Sequence, residues 1–183
     1  MNFIIFLFFL FAILIIVLDL FAIYWFGGML IPILSGGGPY VPTRQEILEQ
    51  MMHIACIGPE DCVVDLGSGD GRLVIAAAQS GAKHSLGYEI HPGLVKLSNW
   101  KIKKMNLEKQ ALVLKQSMWK ANLSDVTLVF LYQIPYAMNR IKKLLETQLP
   151  PGARIVSHAF KIPGWEPEST EGNVLCYKIK NRA

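Results

Sequence analysis

The chain has 183 residues, 52% of them hydrophobic and only 17% charged, with a formal net charge of +4. That much apolar surface excludes a disordered chain, and the lack of any period of three or seven excludes collagen-like and coiled-coil classes. Three cysteines, at 56, 62 and 176, form no C-x-x-C pair, so a disulfide scaffold and a cysteine metal site are excluded and the thiols read as reduced and buried.

Residues 3–26 are apolar or aromatic at every position except Asp19. A helix of that length covers about 36 Å, enough to cross a hydrocarbon core of about 30 Å. Tyr24 and Trp25 close it, where interfacial aromatics belong. A cleaved signal peptide needs a basic start and a shorter apolar run, whereas the first basic residue here is Arg44. Residues 1–27 are therefore assigned as a transmembrane anchor, with Asp19 reaching the headgroups or another helix. All 18 Lys and Arg follow the span together with 13 of the 14 acids. This bias predicts a single-pass membrane protein with its catalytic domain on the cytoplasmic, or an equivalent matrix, side.

Residues 28–42 are rich in Gly and Pro and read as a linker and loop, and residues 43–183 as the domain proper. Thr43 with Glu46 forms a capping box for a helix over 44–57, with Ile47, Met51, Ile54 and Ala55 on its inner face. Short apolar runs at 62–66, 84–89, 111–115, 126–132, 153–160 and 173–179 predict strands, and helical patterns at 71–80, 92–106 and 136–148 lie between them. This alternation is an α/β, Rossmann-like sheet with helices on both faces. Pro163, Gly164, Pro167 and Gly172 break the last link. The sheet therefore ends in a hairpin, with a short strand placed near Trp165.

The chemistry is concentrated in Val63-Val64-Asp65-Leu66-Gly67-Ser68-Gly69-Asp70-Gly71. A buried strand runs through alternate glycines into a helix, so a ligand can approach the backbone closely beside free N–H groups. The spacing is G-x-G-x-G, not the G-x-G-x-x-G of a dinucleotide site, and no P-loop lysine follows. Asp65 and Asp70 would repel a pyrophosphate but suit a ligand bearing an ammonium and a sulfonium, namely S-adenosylmethionine. Glu89 ends the second strand, where a carboxylate accepts hydrogen bonds from both ribose hydroxyls.

These residues resemble the class I S-adenosylmethionine-dependent methyltransferases. The resemblance extends through Pro39-Tyr40-Val41-Pro42-Thr43, Gly87-Tyr88-Glu89-Ile90-His91-Pro92 and Tyr132-Gln133-Ile134-Pro135. It is to the small membrane-anchored protein-lysine methyltransferases, mitochondrial members of which modify the adenine nucleotide translocase and the ATP synthase c-subunit. It covers nearly the whole chain, the N-terminal hydrophobic segment included. It implies that Asp65, Gly67, Ser68, Gly69 and Gly71 cradle the cofactor, with Glu89 and Ile90 at its ribose. Tyr40 and Thr43 would close the site, although Thr43 reads equally well as a helix cap. Relatives carry an acidic residue near the adenine amine; this chain has Ser117 and Met118 there, and His91 replaces an Asn.

Tyr132 and Tyr136 are the candidate catalytic residues, as aromatic walls holding an ammonium, with ordinary wall residues as the alternative. The implied partners are the bilayer, through residues 3–26, and a lysine on a membrane protein. A small lipid-soluble acceptor and a non-catalytic cofactor-binding module remain open. Lys96, Lys101, Lys103, Lys104 and Lys109 form a solvated helix face or a contact for anionic headgroups. No aromatic-plus-basic interleaving marks a nucleic-acid surface, and His53, His84, His91 and His158 share no metal spacing. His158 ends the fifth strand as a candidate base or a packing residue.

Overall fold

The computed structural model describes residues 2–34 and 38–180. Met1, residues 35–37 of the expected linker and residues 181–183 of the expected domain lie outside the described residues. Helix α1 spans Asn2–Leu34, and within it Phe3–Tyr24 is long and apolar enough to cross a membrane. None of that stretch is buried against the rest of the chain. The break expected after residue 27 is absent, because α1 continues across Gly27, Gly28 and Pro32 to Leu34. A helical glycine costs only about 1 kcal/mol, and each further residue adds a backbone bond to a helix already nucleated.

Helix α2 spans Gln45–Ala55 and takes Arg44, not Thr43, as its N-cap, with no side-chain cap bond. The expected capping box with Glu46 does not form. Thr43 is buried, and its carbonyl accepts a hydrogen bond from Arg72. Met51 and Ala55 are fully buried, as the helical spacing requires.

The sheet then builds from β1 (Cys62–Leu66), β2 (His84–Glu89), β3 (Ala111–Lys115), β4 (Leu128–Leu131), β5 (Arg154–His158), β6 (Ser169–Glu171) and β7 (Val174–Lys178). Helices α3 (Arg72–Gln79), α4 (Pro92–Lys104) and α5 (Pro135–Gln148) connect the parallel strands. The strand order is β3-β2-β1-β4-β5-β7-β6, with β7 antiparallel to both neighbours. The short strand of the terminal hairpin is Ser169–Glu171, not a segment at Trp165. Trp165 instead packs edge-on against Tyr177 and donates its indole N–H to Glu146.

Strand period two sorts the residues between two layers. Val64, Leu66, Tyr88, Val129, Leu131 and Ile155 pack with Ala137, Met138, Ile141 and Leu145 of α5. Val63, Leu128, Phe130 and Val156 face Met51 and Ala55 of α2 and Leu73 and Ala77 of α3. Ala111 and Val113 meet α3 and Ile102 of α4. Of the three cysteines only Cys176 is buried; Cys56 is exposed at the C-cap of α2 and Cys62 is half-buried, and all three are free. The chain steps from β1 through β2 to β3 on one side and then crosses back to β4 on the other side of β1. Open α/β sheets bind ligands at such a switch point, outside the carboxyl ends of the strands. Here that point lies beside Leu66 and Leu131, and the Gln133 amide N–H bridges it to the Leu66 carbonyl at 2.7 Å.

Gly71, the N-cap of α3, has φ +76°, and a Cβ there would stand 2.8 Å from the Ser98 Cβ of α4. Gly71→Ala combines left-handed strain with overpacking and is expected to cost roughly 2–4 kcal/mol. The melting temperature should fall by roughly 5–10 °C, and Ser98→Gly in the same chain should recover the overpacking share.

Candidate active site

The turn from β1 into α3 is held from three sides. The Gly67 and Ser68 amides donate to the Tyr88 carbonyl at 2.9 and 3.0 Å, and the Gly71 amide donates to the Ser68 carbonyl at 2.9 Å. The Gly69 amide donates to Glu89 Oε2 at 2.9 Å. Glu89 Oε1 accepts the Ile90 and His91 amides, each at 2.7 Å. A carboxylate has about four acceptor positions, so Glu89 spends three on backbone and keeps one. It organises the loop as well as facing the cavity, which differs from an expected pair of ribose contacts. His91 Nδ1 accepts from the Gly93 and Leu94 amides at 3.1 and 3.2 Å and so caps α4. That is the hydrogen-bonding work an Asn would do at this position.

Two of the glycines admit close neighbours. A side chain at Gly67 (φ +91°) would run into the Gln133 amide, and one at Gly69 (φ +54°) would meet the Tyr40 ring at 2.6 Å. Tyr40 therefore lies directly over the turn. The Arg72 guanidinium donates to the Thr43 carbonyl, which holds the segment that carries Tyr40, and binds Asp70 through two bonds of 2.8 and 2.9 Å. Lys101 adds a third bond to Asp70 at 2.7 Å. Burial opposes ionisation of Asp70, but the hydrogen bonds from Arg72 and Lys101 outweigh it and hold the carboxyl at about 2. Asp70 is thus spent on an internal ion cluster. Asp70 also lines the cavity, with its charge shared between Arg72 and Lys101.

Asp65 is the opposite case. Burial, reinforced by Glu89 and Asp70, pushes its carboxyl up to about 8. It lines a cavity of about 520 Å³, inside the ~300–1,000 Å³ typical of small-molecule sites. Tyr40, Thr43, Asp65, Gly67, Ser68, Gly69, Glu89, Ile90, Ser117, Met118 and Tyr132 share its wall. Two expected residues do not. Gly71 serves the contact of α3 with α4 instead, and Tyr136, at the exposed start of α5, is absent from the wall. The helix turns Tyr136 outward because the inner face of α5 is taken by Ala137, Met138 and Ile141. His158 stands behind Tyr132, ring centroids 4.3 Å apart, with Nδ1 buried and no hydrogen-bond partner. Burial pulls it below its usual value and favours the neutral ring.

Sequence reasoning missed Arg72, Leu94, Leu97 and Phe160 as wall residues. The Asp70-x-Arg72 pair was a readable signal, and Leu94 with Leu97 sits at helical spacing. Phe160 comes from a loop after β5 and carried none.

The wall fits an S-adenosyl compound. Two buried polar atoms at the turn, Ser68 Oγ and Gln133 Oε1, have no protein partner, the condition a ligand relieves. The acidic floor at Asp65 suits a cationic end, and Ser117 and Met118 offer a hydroxyl and a thioether at another part of the wall. Met118 and Trp119 line the space rather than fill it. Among the described residues no three His, Cys, Asp or Glu side chains converge as a metal site.

A carboxyl raised to about 8 in the folded state and titrating near 3.9 when unfolded stabilises the fold below about pH 4 and loses that contribution as pH rises through about 8. The ligand-free chain should therefore lose several degrees of melting temperature between mildly acidic and alkaline pH. Asp65→Asn should flatten that profile, read by calorimetry across pH.

Residues 65–169 match the family described as the ANTKMT methyltransferase domain. The chain is 35% identical over 131 residues to a protein-lysine N-methyltransferase of Saccharolobus islandicus, spanning 71% of this chain and 81% of that one. It is 34% identical over 134 residues to a mouse adenine nucleotide translocase lysine N-methyltransferase, and 34% over 136 residues to a mouse lysine N-methyltransferase of the ATP synthase c-subunit. Each match covers 73% of this chain but only 58% and 53% of the mouse proteins, so the chain spans little more than half of their length. Among solved structures, an RNA methyltransferase of Salinibacter ruber in complex with S-adenosyl-L-homocysteine superposes with a TM-score of 0.75 at 33% identity, covering 78% of this chain and 96% of that one. The chain belongs to the ANTKMT methyltransferase domain family and is a methyltransferase.

Proposed function

We propose that the chain is a membrane-anchored, S-adenosylmethionine-dependent protein-lysine N-methyltransferase acting on a membrane protein. The observation that carries this reading is the 35% identity to a protein-lysine N-methyltransferase over 131 residues. In this reading α1 crosses the bilayer through Phe3–Tyr24, Tyr24 sits at its interface, and residues 43–183 form the catalytic domain on the cytoplasmic or matrix side.

The cofactor, when bound, supplies an activated methyl group. Gly67 and Gly69 let it approach the backbone, Asp65 meets its cationic end, and Glu89 offers its remaining acceptor to a hydroxyl. Ser117 and Met118 flank the base. Tyr40, on the segment that Arg72 holds through the Thr43 carbonyl, covers the turn and excludes water. A lysine acceptor has to lose its ammonium proton to solvent before it can act as a nucleophile. Tyr132, Trp119, Ile134 and Phe160 give the remaining wall an aromatic and apolar character, which lowers the pKa of an entering ammonium by desolvation. The aromatic faces also hold it before the proton leaves.

A second acceptor class has one specific observation in its favour: the Salinibacter neighbour is named an RNA methyltransferase. A small lipid-soluble acceptor is the third possibility. Incubating the full chain with methyl-tritiated S-adenosylmethionine and host membranes separates them. Label should appear in a protein band and resolve to methyl-lysine by mass spectrometry. In Gly67→Ala it should fall roughly a hundred-fold, the scale of a small misplacement at a reacting centre. Label confined to RNA or to the organic extract contradicts the lysine reading.

A further inference from the structure

Apart from Leu97 at the cavity rim, the outer face of α4 is used neither by the cavity nor by the core. Residues 92–104 contain four lysines and no acid. Lys101 is committed to Asp70, which leaves Lys96, Lys103 and Lys104 exposed. Helical spacing sets these three on one face with Leu97 and Trp100, whose relative exposures are 40% and 58%. The Lys104 ammonium lies 5.3 Å from the centre of the Trp100 ring. Leu97 also lines the cavity, as does Val41, itself 53% exposed. The cationic and aromatic face is therefore continuous with an apolar rim at the cavity mouth. Just ahead of that rim, Gly38 is also in the wall, and it follows Leu34, the last residue of α1, by four positions. Four such steps span at most about 15 Å.

We propose that the outer face of α4, formed by Lys96, Leu97, Trp100, Lys103 and Lys104, docks on an anionic lipid bilayer and holds the cavity mouth against the membrane. The proposal rests on the reading of α1 as a membrane span. Three observations favour lipid as the occupant. The free charge of the face is wholly positive, which complements acidic headgroups. Trp and Leu among lysines whose stems lie along the surface is the composition of an interfacial face. About 15 Å of helix from Tyr24 to Leu34 and at most about 15 Å of chain to Gly38 keep this rim within about 30 Å of the end of the span, so even a weak contact is favoured by high local concentration. A nucleic-acid surface is less well served. Lys104 covers a face of the ring that a base would need for stacking, and no second exposed aromatic stands beside it on α4.

The test reads Trp100 directly. The full chain is reconstituted into equimolar phosphatidylglycerol–phosphatidylcholine vesicles carrying bromine at a shallow acyl position. The signal of Trp100 is taken as the difference between the chain and Trp100→Phe. Flotation after carbonate extraction reports α1 insertion separately in the same sample. Trp100 should be quenched in the anionic vesicles and far less so in pure phosphatidylcholine. Each lysine near such a surface is worth about a five-fold change in affinity, so Lys96→Glu/Lys103→Glu/Lys104→Glu should abolish the quenching while leaving S-adenosylhomocysteine binding and flotation unchanged. Trp100 left unquenched in anionic vesicles by a chain that floats overturns the docking surface and spares the anchor. Quenching that survives the charge reversal, or a face that binds single-stranded RNA but no vesicle, overturns it as well. A chain that fails to float overturns the anchor reading, and with it the premise of this proposal.

Discussion

The molecule depends on one turn. Between β1 and α3 the backbone takes positive φ at Gly67, Gly69 and Gly71, and the Tyr88 carbonyl and the Glu89 carboxylate bind its amides. Only this compact path lets the chain leave a strand buried on both faces and enter a helix within five residues. Tyr40 and Gln133 then close on the turn from either side, each in space that a Cβ would take. The glycines therefore act twice, once for the backbone path and once for the approach of these two covers.

Charge at the turn is divided unequally among three carboxyl groups. Asp70 is neutralised by Arg72 and Lys101 and becomes structural. Its partner Arg72 fastens the segment that carries Tyr40 over the site through the Thr43 carbonyl. Glu89 spends most of its acceptors on backbone amides. Asp65 has no cation beside it, and burial pushes its carboxyl up to about 8. A buried carboxyl without a counter-charge opposes stability and favours any ligand that brings one. The site is thus an unsatisfied acid next to an ordered turn, with Tyr40 and Arg72 drawn over it.

Most of the sheet was legible because its strands are short apolar runs between helical repeats. The strand starts at Cys62, His84 and Ala111 match those runs, and Leu128–Leu131 and Arg154–His158 are trimmed versions of them. The glycine turn and Glu89 were legible because their spacing is local. What failed was mostly non-local. Thr43 looks like a cap beside Glu46, but Arg72, 29 positions away, takes its carbonyl. The pairing of Asp70 with Lys101, 31 positions on, has no local signal either. Gly71 looks like part of the cradle, yet its close neighbour is Ser98 of α4. Tyr136 was misplaced by helix phase, since one step along α5 turns a side chain by about 100°. The continuation of α1 to Leu34 was hidden by glycines whose cost is small beside that of breaking a formed helix.

The central claim is that this turn and cavity bind an S-adenosyl cofactor. Calorimetric titration of S-adenosylhomocysteine into the purified full chain, beside Gly69→Ala, tests it most directly. The account predicts one saturable site in the chain and none in the variant, where the new Cβ would meet the Tyr40 ring at 2.6 Å. No binding to the chain, or equal binding to both, would contradict it.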